Sequence, residues 1–374
     1  MGKFWDAMIC AAFAAFLLVM SALFLFQEKV DFSEKEKRYL SAMPALTSQE
    51  IFSGDLSSDM EACAADHIPA RDFFVGLNAW AERAFNLQCT KAVYVGKSGA
   101  LYERPCREDD AAIARNMEAI NAFAKSVGQP VDLILVPTAG SFSPEDVMGL
   151  ADPYMDGELI RRAYSLAGEG LRPVDIAPVL AAGTEGGERI FYRTDHHWTS
   201  LGAYLACADY TDRLGRGHPG REDYAVTAVD GFYGTTYTRA CLWQFPPETL
   251  ELWDGGGLFT VSASEAPEAH AGLFYPERLE QADKYPVYLD GNHPLVTIEN
   301  AAEDAEGRIL VIRDSYANCM GCFLADSFKT VVMADLRYYK EPLSELCRDG
   351  DFDAVLVLYS ISSFMTDSNI VWLS

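Results

Sequence analysis

Short, near-continuous apolar runs punctuate this chain: Val131–Val136, Ile190–Tyr192, Ile309–Ile312, Thr330–Met333 and Ala354–Tyr359. A strand with one face in water alternates apolar with polar residues; these runs do not, so both faces of each need cover. Helix-compatible segments lie between them, over Asp109–Val127, from Thr199 to about Leu214, and from Ser315 to Phe328. The alternation predicts an α/β fold, a mostly parallel sheet flanked by helices. In such sheets, binding and catalytic groups collect beyond the carboxyl ends of the strands.

Two of those ends carry reactive side chains. Asp195-His196-His197-Trp198 follows Ile190–Tyr192, and Arg313-Asp314-Ser315-Tyr316 follows Ile309–Ile312. On an extended chain Asp195 and His197 share one side, with His196 on the other. Nucleophilic acyl transfer needs a hydroxyl, an imidazole to take its proton and a carboxylate to orient the imidazole. Ser315, His197 and Asp195 are therefore the candidate catalytic residues. A developing oxyanion is met by backbone N–H groups at a helix start, here those of Ser315 and Tyr316. Tyr192 and Arg193, beside the motif, and Asn318, one turn past the serine, are candidate substrate contacts. The competing structural reading makes Ser315 a helix cap, and His196 and Trp198 read as structural and packing residues.

The tetrad at 195–198 occurs with Phe32-Ser33-Glu34-Lys35-Glu36-Lys37-Arg38, Phe232-Tyr233-Gly234-Thr235-Thr236 and Arg313–Tyr316. In these segments the sequence resembles the DHHW proteins, over nearly everything after the apolar N-terminus. That family is similar to the SGNH-hydrolase-like domain of the alginate O-acetylation proteins AlgX and AlgJ, in which an Asp-x-His motif precedes the serine. The order Asp195, His197, Ser315 agrees; it reverses that of ordinary SGNH esterases, and a triad is defined by geometry rather than by chain order. The resemblance implies a serine O-acetyltransferase or acetylesterase acting on a cell-surface glycan through an acetyl-Ser315 intermediate. It implies no cofactor and no metal, and a membrane-bound acyltransferase as the acetyl donor. Ordinary SGNH enzymes add a Gly and an Asn to the oxyanion hole; here the run Ala354–Tyr359 leads into Ser360-Ile361-Ser362-Ser363, with no Asn. Two other readings stand beside this one. A metal-dependent phosphoesterase would use the Asp-His-His motif, but the further acidic ligands it needs are missing from the tip of the first strand. A non-catalytic glycan-binding surface protein would keep the fold alone.

Ala7–Phe26 carries no charge, and Phe4–Phe26, interrupted only by Asp6, would span about 35 Å as a helix, enough for a bilayer. A signal peptide has a shorter apolar region, about 7–15 residues, so an uncleaved membrane anchor is the reading. Flanking cations, Lys3 against Lys29, Lys35, Lys37 and Arg38, alone favour an inward-facing domain; the resemblance implies an extracellular one. The chain thus divides into an anchor (1–28), a stem with a helical lead-in broken at Pro69 (29–90), and a catalytic domain (91–374). That last domain carries an insertion at about 222–296, whose aromatics line either a sugar groove or a small core of their own. A formal charge of −25 with no basic cluster excludes nucleic acid as a partner. Among the nine cysteines, Cys89 and Cys106 flank a hairpin-like stretch and are the one pair nominated for a bridge. Cys319 and Cys322, three apart on a helix, read as structural.

Overall fold

The computed structural model describes residues 2–44, 47, 52, 54, 56–86, 89–90, 92–147, 152–266 and 268–373. They form two compact units, Met1–Lys91 with Thr238–Gln244, and Ala92–Tyr237 with Phe245–Ser374.

In the first unit, α1 (Gly2–Phe26) is apolar along its length, has none of its membrane-length window buried within the protein, and is long enough to cross a bilayer. Helices α2 (Leu56–Asp66) and α3 (Arg71–Asn86) flank Pro69; the expected helical start at Gln49 lies outside the described residues. The Phe32–Arg38 segment is a structural knot here. Phe32–Ser33 pairs with Arg38–Tyr39, Arg38 Nη1 reaches Asp66 Oδ2 at 3.0 Å, and Arg71 Nη1 reaches Glu36 Oε1 at 2.5 Å. Hydrogen bonding to Arg38 holds the Asp66 carboxyl well below the usual carboxylate range.

The second unit opens with a hairpin, β1 (Val93–Val95) and β2 (Leu101–Glu103). Helix α4 (Asp110–Val127) begins where the Asp109 side chain accepts the Ala112 N–H and stops at Gly128, in the left-handed region at φ 69°. Beyond it come β3 (Val131–Val136), α5 (Asp156–Ser165), β4 (Leu171–Pro173), α6 (Ala177–Glu185) and α7 (Ser200–Arg213). A paired ribbon follows, β5 (Ala225–Phe232) and β6 (Glu248–Asp254). The chain continues through β7 (Phe259–Ala263), β8 (His270–Ala271), β9 (Leu295–Asn300), β10 (Arg308–Arg313), α8 (Ala317–Ser327), β11 (Thr330–Ala334), α9 (Leu343–Gly350), β12 (Ala354–Ser360) and α10 (Ile361–Thr366).

Eight strands make the central sheet, in the order β8-β7-β9-β11-β10-β12-β3-β4. The five from β11 to β4 are parallel, as the apolar runs require. The inserted stretch and β9 extend the sheet antiparallel from β11; only β7 and β8 are joined by a short loop, while β7 meets β9 and β9 meets β11 across longer connections. Alternate residues of one strand serve opposite faces: Ile309 and Val311 pack towards α7 and α8, Leu310 and Ile312 towards α4, α9 and α10. The insertion's Phe232 and Trp253 belong to the first of these cores rather than to an open groove.

Two expectations are corrected. Ile190–Tyr192 is not a sheet strand; only Phe191 bridges Trp198, because residues 193–197 bend and return the chain at once. Asp195 therefore sits in a tight turn and not at a strand end. Cys106 is a free thiol, which removes the nominated Cys89–Cys106 bridge.

Since Leu356 on β12 is fully buried, Leu356→Ala should cost about 2–5 kcal/mol, whereas Leu258→Ala, at a side chain 77% exposed, should stay within about 0.5 kcal/mol. Denaturant titration of both variants checks the contrast.

Candidate active site

Three stretches meet at the site: the turn at 193–198, the chain between β10 and α8, and residues 232–236 after β5. Asp314, at the end of β10, anchors the second. Its Oδ1 accepts the Tyr316 N–H at 3.0 Å, and its Oδ2 accepts the Ser360 N–H at the end of β12 at 2.9 Å. Ser315 is thereby presented above the parallel part of the sheet, half-buried.

His197 Nε2 lies 2.8 Å from Ser315 Oγ. His197 Nδ1 lies 2.5 Å from Asp195 Oδ1, which also accepts the His197 N–H at 2.9 Å. A ring nitrogen facing a carboxylate carries the proton, which leaves Nε2 to accept from the serine. Asp195 Oδ2 accepts the Thr235 N–H at 2.7 Å and its hydroxyl at 3.0 Å. Burial alone would raise the Asp195 pKa, but His197, His196 and the Thr235 N–H outweigh it and hold the carboxyl well below its ordinary value. Gly234 permits this approach, because a Cβ there would lie 2.2 Å from Asp195 Cβ.

Surrounding groups fix the turn. Glu248 accepts the Arg193 N–H at 2.8 Å and the Thr194 N–H at 2.7 Å. Tyr285 stacks flat on the His197 ring, with centroids 3.9 Å apart and planes 8° from parallel. Trp198, fully buried, donates its indole N–H to Tyr316 O at 3.1 Å, and the Tyr316 hydroxyl donates to His196 O.

The other nominated residues fall differently. Because the Tyr316 N–H already donates to Asp314, it is not a free oxyanion donor. Tyr192 is largely buried, its ring edge-on to Phe232 with 5.0 Å between centroids, and it borders the cleft that Arg193 lines. Asn318 is buried as well; its Nδ2 donates to Asn292 Oδ1 at 3.0 Å, so it positions a neighbour. Arg193 lines a cleft of about 410 Å³ with Ser98, Tyr102, Phe142 and Phe191. His196 does not point away from His197, because the turn is not extended; the two rings lie 3.8 Å apart and His196 Nδ1 meets Thr235 Oγ1 at 2.5 Å.

Sequence reasoning passed over Glu248, Tyr285 and Asn292. Thr235 and Gly234 stood in a quoted segment without an assigned role. Asn292 is exposed, and its Oδ1 accepts from both Arg313 Nη1 at 2.7 Å and Asn318 Nδ2. As a metal group, Asp195, His196 and His197 place one ligand atom each within 4.8 Å of one another. The donor set fits a cation poorly: both Asp195 oxygens are engaged by N–H and O–H donors, and no further acidic ligand joins the three among the described residues.

Residues 181–334 match the model of the DHHW protein family, and residues 93–230 match that of the SGNH hydrolase-like domain of the acetyltransferase AlgX. Among solved structures, a DHHW family protein from Eubacterium siraeum superposes with a TM-score of 0.66 at 22% identity, covering 76% of this chain and 95% of that one. Bacillus cereus PatB1, in a structure with a sulfonyl adduct, gives a TM-score of 0.62 at 19% identity, covering 75% of this chain and 98% of its own. No curated protein matches. At these identities the structural likeness establishes a shared fold. By sequence the chain therefore resembles the DHHW family over residues 181–334 and the SGNH hydrolase-like domain of the acetyltransferase AlgX over residues 93–230.

Proposed function

We propose that this chain is a serine O-acetyltransferase or acetylesterase that modifies a cell-surface polysaccharide. One observation carries the reading: the unbroken line of short contacts from Asp195 through His197 to Ser315. The sequence match to the AlgX acetyltransferase domain supports the acyl class.

His197 Nε2 takes the Ser315 proton as Oγ attacks the ester carbonyl of the donor. Asp195 stabilises the imidazolium, and collapse of the tetrahedral adduct expels the donor alcohol with that proton. Acetyl-Ser315 is then attacked by a sugar hydroxyl, giving transfer, or by water, giving hydrolysis, with His197 again the base. The oxyanion meets the Ser315 N–H and the Asn292 amide. Arg313 and Asn318 both donate to Asn292 Oδ1, which orients the amide so that its NH₂ is left to donate. Asp195, His197 and Ser315 are the catalytic residues of this mechanism, and Arg193 a substrate contact from the neighbouring cleft.

In this reading residues 1–28 anchor the chain in a membrane, 29–90 form the stem, and 91–374 form the extracytoplasmic catalytic domain. A membrane-bound acyltransferase supplies the acetyl group.

Ser315→Ala, His197→Ala and Asp195→Asn should each lower acetyl-ester turnover on the order of 10⁴-fold while folding normally. A sulfonyl fluoride should label the Ser315 peptide by mass spectrometry, and activity should survive EDTA. Folded Ser315→Ala protein with wild-type turnover would sink the assignment; loss in EDTA with recovery in manganese would favour the phosphoesterase. Gly234→Ala pushes on Asp195 and should cost about 10²-fold in kcat, whereas Gly157→Ala, with nothing within 4 Å of its new Cβ, should leave kcat alone. Protease added to intact cells should degrade the domain and spare cytosolic controls; full protection would overturn the extracellular placement.

A further inference from the structure

Helix α3 carries an exposed apolar stripe, on which, among the described residues, Arg83 of the same helix lies over the Trp80 ring, 4.9 Å from its centroid. Phe73, Leu77 and Trp80 follow at helical spacing and are 64%, 54% and 37% exposed, with Phe74 and Ala84 exposed on the same side. The flank beside it is already used: Ala79 is buried, and a Cβ on Gly76 would meet the Trp243 ring at 3.0 Å. Four large apolar side chains facing solvent on one short helix mark a contact surface rather than scatter.

Its place in the first unit says what covers it. The Gln27 side chain, one residue beyond α1, donates to the His67 carbonyl in the elbow that leads into α3. If α1 spans a bilayer, α3 therefore begins at the depth where the chain leaves it. Charge is less adverse here than in the rest of the chain: residues 1–91 hold eight cations against twelve anions, so most of the −25 lies beyond them, and α3 itself balances two cations with two anions. An acidic protein is repelled by anionic headgroups, and this less acidic part is where it can approach them. Phe, Leu and Trp on one face are also the residue types that settle at the headgroup boundary.

We propose that α3 lies in the membrane interface, its Phe73-Leu77-Trp80 face set among the lipids of the leaflet from which α1 emerges. The proposal rests on the reading of α1 as a membrane anchor. With two attachments, one spanning and one lying flat, the first unit is held against the membrane plane.

The full chain in nanodiscs of brominated phosphatidylcholine and phosphatidylglycerol tests this. Of its six tryptophans, Trp5 lies in α1 and Trp80 on α3. Brominated lipid should quench both, so Trp80→Phe and Trp5→Phe should each remove about one tryptophan's share of the quenched emission. The paired change Phe73→Asp and Leu77→Asp should at least halve the quenching of Trp80. A quenched component that falls with Trp5→Phe but not with Trp80→Phe overturns the proposal, leaves the anchor standing and points to a protein partner or a second copy on this face. No quenching of either overturns the anchor reading, and this inference with it.

Discussion

A buried carboxylate organises the active-site region of this molecule. Asp195 is only 1% exposed, and an isolated carboxylate so buried would take up a proton instead. Its two oxygens are instead shared among the backbone and ring of His197 and the backbone and hydroxyl of Thr235. Each donor comes from a different constraint. The His197 pair requires the 193–198 turn to bend, and the Thr235 pair requires the chain after β5 to pass so close that only glycine fits at 234.

A second carboxylate plays a mechanical part. Asp314 joins the end of β10 to the end of β12 and holds the turn that presents Ser315. The two acids divide the labour: one sets the electrostatics of the imidazole, the other the position of the hydroxyl. The division has a cost, since the Tyr316 N–H that holds the turn is no longer free for other work. Arg313 and Asn318, both buried, converge on Asn292 from beneath and fix which way its amide faces.

Much of this was legible in the sequence. The parallel half of the sheet follows from apolar runs that do not alternate, and Ser315 from its place between such a run and a helix. Asp195 and His197 were legible as residue types, though not by the argument first applied to them. A period of two assumes an extended chain; residues 193–197 bend instead, so His196 and His197 stack rather than oppose. Tyr192 looked like a substrate contact by adjacency; the turn sends its ring largely into the core, at the border of the cleft that Arg193 lines. Tyr285 and Asn292 left no trace because they lie in an irregular stretch, more than twenty residues before the serine, where no periodicity reports the direction of a side chain. The antiparallel strands β7–β9 escaped for the same reason, since glycine and aromatic residues there masked a short-strand pattern.

The stretch between β8 and β9 touches the centre at two points, with Tyr285 flat on His197 and Asn292 joined to Arg313 and Asn318. It is not part of the parallel scaffold, and although Val287, Tyr288 and Leu289 are buried in the core, exposed positions such as Asn292 can change without disturbing the sheet. A lineage could therefore retune basicity, water access and the shape of the acyl pocket by remodelling one inserted loop. Divergence among proteins of this architecture should concentrate there, with the strand ends beneath held nearly constant.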